Sequence, residues 1–292
     1  MMEYIIVTDS TANLPEEIID RYGIEIVSLS YFVNDVEDKA YEKGKKTNLK
    51  ELYVKMRNKE SMRTSLASPE SFADVFEGIA KEGKDILYIG FTSGLSGTYQ
   101  SGTIAANIIR DKYPDIKLYT VDTLCAALGE GLLVYNAALM KEEGKSIEEV
   151  RDWVEENKLN MCHTVTVDDL FFLKRGGRVS ATTAVAGTML GIKPLLHVDI
   201  DGKLVTTGKI RGRKQAMNYL VEQFEKYAEN KEEQIIAIGH GDCEEDAKYI
   251  ISEIKKKYNI KEVVMNYLDP VIGCHAGPGT LALFYLGSER KS

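Results

Sequence analysis

Asp85-Ile86-Leu87-Tyr88-Ile89-Gly90-Phe91-Thr92-Ser93-Gly94-Leu95-Ser96-Gly97-Thr98 combines an apolar run, a loop of glycines and hydroxyls, and the start of a helical pattern. Its composition predicts a buried strand over Asp85–Phe91 and a helix over Ser96–Asp111. The alternation recurs on both sides. Strands are expected at Tyr4–Thr8, Ile24–Leu29, Lys117–Val121, Met161–Val167, Leu195–Asp199, Leu204–Thr207, Gln234–Gly239 and Glu262–Tyr267. Helices are expected at Pro15–Tyr22, Pro69–Lys81, Leu124–Glu143, Ile147–Asn157, Arg213–Ala228 and Glu244–Tyr258. Strands that alternate with helices imply βαβ units and a mainly parallel sheet. Asp201-Gly202 is a hairpin signal between Leu195–Asp199 and Leu204–Thr207, so the second half should mix antiparallel with parallel strands.

The fold class is therefore α/β. An N-terminal, mainly parallel Rossmann-like domain over residues 1–158 should pack on a second α/β domain with a mixed sheet over residues 159–292. A ligand pocket is expected in the cleft between them. The chain has 292 residues, enough for a sizeable core, and 44% are hydrophobic. A formal net charge of −8 with no basic run opposes nucleic-acid binding. The four cysteines form no Cys-x-x-Cys pair, which opposes zinc and a disulfide framework and suits reduced thiols. Met2–Val7 enters a strand directly and has no signal-peptide pattern, so a cytoplasmic location is expected. Ala181–Leu196 is too short and too interrupted to span a bilayer.

Several loops carry polar groups suited to an anion. Asp9–Pro15 follows the first strand, where Asn13 or Thr11 should cap the next helix or meet a ligand. Ser68 is a natural N-cap ahead of Pro69, which leaves Thr64 and Ser65 as turn residues or anion donors. Gly90–Thr98 offers hydroxyls, free amides and a helix start to a carboxylate or phosphate. It lacks the nucleophile-elbow, P-loop and dinucleotide patterns. Lys174-Arg175-Gly176-Gly177-Arg178 and Lys209-Ile210-Arg211-Gly212-Arg213 set cations on an acidic chain, for an acidic partner, a phosphate or solvent. Ala181–Leu190 is rich in small side chains, for close packing or for room beside a bound chain. His163 and His197 read as structural, and His240 is ambiguous at a strand end. His275 lies in Gly273–Thr280, a glycine-rich loop expected to open an apolar helix. No histidine spacing or carboxylate cluster suggests a metal.

Val7–Ala12, Thr64-Ser65, Ser93–Tyr99, Val121–Thr123, Gly176–Ser180, Ile210–Gly212 and His275–Thr280 together resemble the DegV family, in its order and across nearly the whole chain. Leu66-Ala67 stands where the family often has Gln-Pro. The fatty-acid-binding subunits of bacterial fatty acid kinases are similar proteins. The resemblance implies one bound long-chain fatty acid and no other cofactor. Its carboxylate would lie near Thr64, Ser65, Ser93, Gly94, Ser96 and His275. It also implies a fatty acid kinase catalytic subunit as partner, a role in phospholipid metabolism and room for transient membrane contact. Arg178 and Arg211 match family positions for partner docking or phosphoryl transfer, and no catalytic residue is implied. About 14 buried methylenes offer on the order of 11 kcal/mol gross. Ordering and association remove much of that. Two alternatives remain: a serine acyl hydrolase using Ser93 or Ser96 with His275, and a transcriptional regulator, which the acidic charge opposes.

Overall fold

The computed structural model describes residues 3–179, 191–288 and 290. The first half runs β1 (Tyr4–Asp9), α1 (Glu16–Tyr22), β2 (Glu25–Val27), β3 (Ser30–Val33), β4 (Val36–Lys39), α2 (Leu49–Arg57), β5 (Met62–Ser65), α3 (Pro69–Lys81), β6 (Asp85–Gly90), α4 (Thr98–Lys112), β7 (Leu118–Asp122), α5 (Leu128–Glu142) and α6 (Ile147–Asn157). The second half runs β8 (Met161–Thr166), α7 (Phe171–Arg175), β9 (Ile192–Val198), β10 (Leu204–Arg211), α8 (Arg213–Tyr227), β11 (Ile235–His240), α9 (Glu244–Lys255), β12 (Glu262–Tyr267), α10 (Pro270–Ala276) and β13 (Leu281–Leu286).

Three sheets result. The first has the order β2-β1-β6-β7 and is parallel throughout. β6 lies inside it with every residue buried, which explains its unbroken apolar run. The second has the order β10-β9-β8-β13-β11-β12 and is mixed, with β11 parallel to β12 and the other pairs antiparallel. The third is a small antiparallel sheet, β4-β3-β5. Helix α5 is buried on most of its faces and touches β1 and β6 of one sheet and β8, β11 and β13 of the other. One apolar core consequently runs from Tyr4 to Phe284 through both halves.

The α/β class and the hairpin at Asp201-Gly202 follow the sequence expectation, with β9 and β10 antiparallel. Other expectations need correction. The strand expected at Ile24–Leu29 ends at Val27, and β3, β4, α2 and β5 occupy a stretch for which no element was expected. Gly273–Thr280 does not open an apolar helix. Asp269 caps α10, accepting from the Ile272 amide at 2.6 Å with Pro270 at the first helical turn, and the apolar run after Thr280 is strand β13. β13 is buried at all positions but its last, so it shows no period-2 alternation and reads equally as helix. Neither Asn13 nor Thr11 caps α1. Asp9 instead caps a 3-10 turn over Ser10–Ala12, and α1 starts after Pro15 without a side-chain cap. Ser68 does cap α3, accepting from the Ser71 amide at 3.2 Å. Ser180 and the small-residue stretch Ala181–Leu190 lie outside the described residues. Among the described residues, no helix is long and apolar enough to cross a membrane.

Candidate functional site

The strand faces meet around a cavity of about 550 Å³. Alternate residues along a strand share a face. His163 and Val165 of β8, Ala282 and Phe284 of β13, Val198 of β9 and Leu204 of β10 thus line one wall. Thr11, Leu29, Phe91, Ala126 and Ala127 come from the parallel-sheet half. β5 and α10 close another side with Met62, Thr64, Val271 and His275, and α7 contributes Leu173 and Arg175. The volume falls within the range of small-molecule sites, roughly 300–1,000 Å³, and the lining is mostly aliphatic and aromatic, as such sites are.

Polar groups gather where β5, α10 and the loop before α4 approach one another. Thr64 Oγ1 lies 2.9 Å from His275 Nε2. Arg178 donates through Nε to the Leu95 carbonyl at 3.2 Å and through Nη1 to the Gly176 carbonyl. Gly176 packs on the imidazole so closely that a Cβ there would strike His275 Nδ1. Ser96 lines the cavity, and its Oγ accepts from the Thr98 amide at 3.2 Å, which organises the start of α4. Burial pushes His275 down to about 4, helped by the charges of Arg178 and Arg175, so the imidazole is neutral near pH 7. Its Nδ1 is buried and has no partner. When Nε2 carries the ring proton it donates to Thr64 Oγ1, which leaves the Thr64 hydroxyl proton for a ligand acceptor.

A second polar group lies behind Thr11. Asp9 accepts from the Thr11 hydroxyl, from the Thr11 amide at 3.1 Å, from the Phe91 amide at 3.1 Å and from the Tyr88 hydroxyl at 3.2 Å. Glu130 Oε2 lies 3.2 Å from the same Thr11 hydroxyl, and its Oε1 accepts from Thr8 at 2.9 Å. One hydroxyl proton cannot serve two ionised carboxyls fully. The chain closes when Glu130 is the neutral acid and donates to Thr11, which donates to Asp9. Burial pushes both carboxyls up, Glu130 far above its usual range. Asp269, also buried, is pushed up to about 7.

Of the residues expected from sequence, Thr64, Ser65, Ser96, His275 and Arg178 line the cavity. Ser93 and Gly94 stand outside that lining. Ser93 is exposed, and its amide donates to Asp122 Oδ1 at 3.2 Å. Gly94 is required by packing, since a Cβ there would sit 2.5 Å from the Asp201 carbonyl. Arg211 ends β10, exposed and away from the cavity lining. His163 is a satisfied buried imidazole, with Nδ1 at 2.9 Å from the Met161 carbonyl and Nε2 accepting from the Ala126 amide at 3.0 Å. His275 meets Thr64 and neither Ser93 nor Ser96, so the structure does not bring the expected serine–histidine pair together. Sequence reasoning missed the apolar walls, and it offered Thr11 as a cap or ligand contact and Arg175 as one of a cluster of cations without placing either in a cavity. Among the described residues, no group of three or more histidine, cysteine or acidic side chains could hold a metal.

The family model described as "Uncharacterised protein, DegV family" matches residues 4–288. A DegV domain-containing protein of Clostridium perfringens is 43% identical over 293 residues, covering 100% of both chains. A solved DegV family protein from Thermus thermophilus, described by its fatty acid binding, superposes with a TM-score of 0.88 at 30% identity, over 98% of this chain and 100% of that one. A stearic-acid-binding protein from Eubacterium ventriosum superposes with a TM-score of 0.85 at 25% identity, over 97% of this chain and 98% of that one.

Proposed function

The chain belongs to the DegV family, and from that premise we propose that it binds one long-chain fatty acid in the cavity and presents its carboxylate to a separate kinase. One observation carries the reading: an apolar cavity of about 550 Å³ has a hydroxyl–imidazole pair in its lining, Thr64 Oγ1 and His275 Nε2 2.9 Å apart. A buried carboxylate is tolerated only when hydrogen bonds meet it. Thr64 and Ser96 supply hydroxyl donors, His275 backs Thr64, and Ser65 lies beside them. The fatty acids described for the Thermus thermophilus and Eubacterium ventriosum proteins support the ligand class.

In the kinase step the partner would supply ATP. A carboxylate oxygen attacks the γ-phosphorus, the bond to the β-phosphate oxygen breaks, and acyl phosphate and ADP result. Arg178 and Arg211 are the proposed contacts for the partner or the transferring phosphoryl group, because the planar guanidinium pairs with phosphate and carboxylate. A cytoplasmic site of action and exchange of the fatty acid at a membrane surface belong to the same proposal. Leu66 on the cavity rim and Phe171 of α7 are both exposed and suit brief contact with lipid. Ser93 and Gly94 remain part of the proposed carboxylate loop, Ser93 through a turn of its side chain toward the ligand.

Native mass spectrometry of the purified protein, followed by lipid extraction, tests the binding reading. One equivalent of a long-chain fatty acid is expected, and a delipidated protein that takes up none overturns it. For the kinase step, ligand occupancy and acyl-phosphate formation are measured on Arg178→Ala and Arg211→Ala with the cognate kinase. Retained ligand with lost turnover is expected. Normal turnover would remove the docking role.

A further inference from the structure

The segment between β7 and α5, residues 122–127, shapes the cavity from below. Ala126 and Ala127 line it, and the Ala126 amide holds His163 at 3.0 Å. The same segment fixes the loop that carries Ser96. The Cys125 carbonyl accepts from the Thr92 amide at 3.0 Å, and Asp122 Oδ1 accepts from the Ser93 amide at 3.2 Å. The Thr123 hydroxyl donates to the Gly90 carbonyl at 2.8 Å. Yet this segment holds two non-glycine residues in the left-handed region, Leu124 at φ 51° and Ala127 at φ 50°. Such backbone persists only where its surroundings over-determine it.

Arg290 provides that restraint. It follows β13 and is 5% exposed. Its guanidinium donates to the carbonyls of Leu124 at 2.5 Å, Lys158 at 2.5 Å, Met161 at 3.0 Å and Asp199 at 3.1 Å, and to Cys125 Sγ at 2.7 Å. The Arg290 amide donates to the Leu159 carbonyl at 3.2 Å. One side chain thereby ties the strained segment to the turn before β8 and to the β9–β10 hairpin. A planar fork with five N–H donors suits this, and an ammonium cannot reach so many acceptors at once. Burying a guanidinium among carbonyls is expensive unless its donors are met, as they are here.

We infer that Arg290 is a positioning residue for ligand binding, locking residues 122–127 as the wall of the cavity and thereby fixing the loop that carries Ser96. The inference rests on the fatty-acid reading for its functional part, while the lock itself has an independent signature. Cys125 is fully buried beneath the guanidinium, and burial pushes its thiol up to about 12, so it stays protonated and unreactive while the lock is closed.

The test compares wild type, Arg290→Ala, Arg290→Lys and, as a stability control in the core beneath α8, Val221→Ala. Two quantities are read on each: release of a preloaded fluorescent long-chain fatty acid chased with oleate, and N-ethylmaleimide labelling of the Cys125 peptide by mass spectrometry. Arg290→Ala is expected to release ligand and to label Cys125 about tenfold faster or more. Arg290→Lys should fall between, and low-millimolar methylguanidinium should slow release from Arg290→Ala but not from Val221→Ala. If Arg290→Ala does not fold, Arg290→Lys carries both readouts. Protected Cys125 with unchanged release overturns the proposal. So does faster release matched by Val221→Ala at equal loss of Tm, which would make Arg290 merely structural. If wild type takes up no fatty acid, the binding reading fails, and Cys125 labelling alone still decides whether the lock exists.

Discussion

Replacing Thr64 by Val removes one hydroxyl at a position where strand β5 pairs with Tyr31 of β3, and valine suits a strand. The lost hydroxyl lies 2.9 Å from His275 Nε2, in the cavity lining. With it gone, the Thr64–His275 pair has no hydroxyl to present to the ligand. A hydrogen bond to a charged group contributes roughly 1.5–3 kcal/mol, so affinity for a long-chain fatty acid should fall about 10- to 100-fold. The variant also leaves Nε2 buried without a partner, which costs about 1–3 kcal/mol of stability. Delipidated protein, displacement of a fluorescent fatty acid by oleate and a Tm on the same sample measure both effects. A double-mutant cycle with His275→Ala separates them from simple unfolding. The two residues act as one unit, so His275→Ala should do little further harm in the Thr64→Val background, with a coupling on the order of 1–2 kcal/mol. A loss of affinity under about threefold, roughly 0.6 kcal/mol, would refute this account of the carboxylate site, as would additive effects in the cycle.

Ser96→Ala should weaken binding about tenfold and Ser93→Ala less; the opposite order in the displacement assay would assign the carboxylate to Ser93. Ala282→Phe fills part of the cavity from β13 and should shift the bound lipids toward shorter chains. An unchanged distribution in extracted lipid means that the acyl chain runs elsewhere. Burial holds His275 near 4, below its ordinary 6.5, so the unfolded chain binds the extra proton between those values. Its contribution, on the order of 3 kcal/mol, is present above about pH 6.5 and lost as pH falls toward 4. Urea unfolding of wild type and His275→Gln should diverge over that window, and parallel pH curves would contradict the depressed pKa. For Glu130 the sign reverses. A folded-state pKa raised well above 4.5 means stability complete at acid pH and eroded as pH rises, and Glu130→Gln should flatten that decline. Gln can also donate to Thr11, so it should be tolerated far better than Glu130→Ala, which should cost about 2–4 kcal/mol by cavity and orphaned threonines.

Much of the candidate site was legible as types of residue. Thr64, Ser96, His275 and Arg178 stood out because hydroxyls, an imidazole and a guanidinium beside glycines have few purely local uses. The sequence offered no means of ranking Ser93 against Ser96. They are three residues apart in one loop, and which faces inward depends on Asp122 taking the Ser93 amide and Arg178 taking the Leu95 carbonyl. The partnership of Thr64 with His275 spans 211 positions, and nothing local encodes it. Arg290 carries no motif at all. Its importance comes from carbonyls contributed by segments far from it in the chain.

By itself the sequence determined the α/β class, through apolar runs separated by helical periods, and the β9–β10 hairpin, through Asp201-Gly202. These are local matters of backbone preference and periodicity. Tertiary structure alone decided that Leu281–Leu286 is a strand, because a run buried on both faces has no period to read. It also decided the small sheet of β3, β4 and β5, whose short strands are stabilised by pairing across distant segments rather than by their own composition. The cavity is the clearest case. Its walls come from alternate residues of strands in different sheets, and a one-residue slip of register in any of them would turn its side chains to the opposite face.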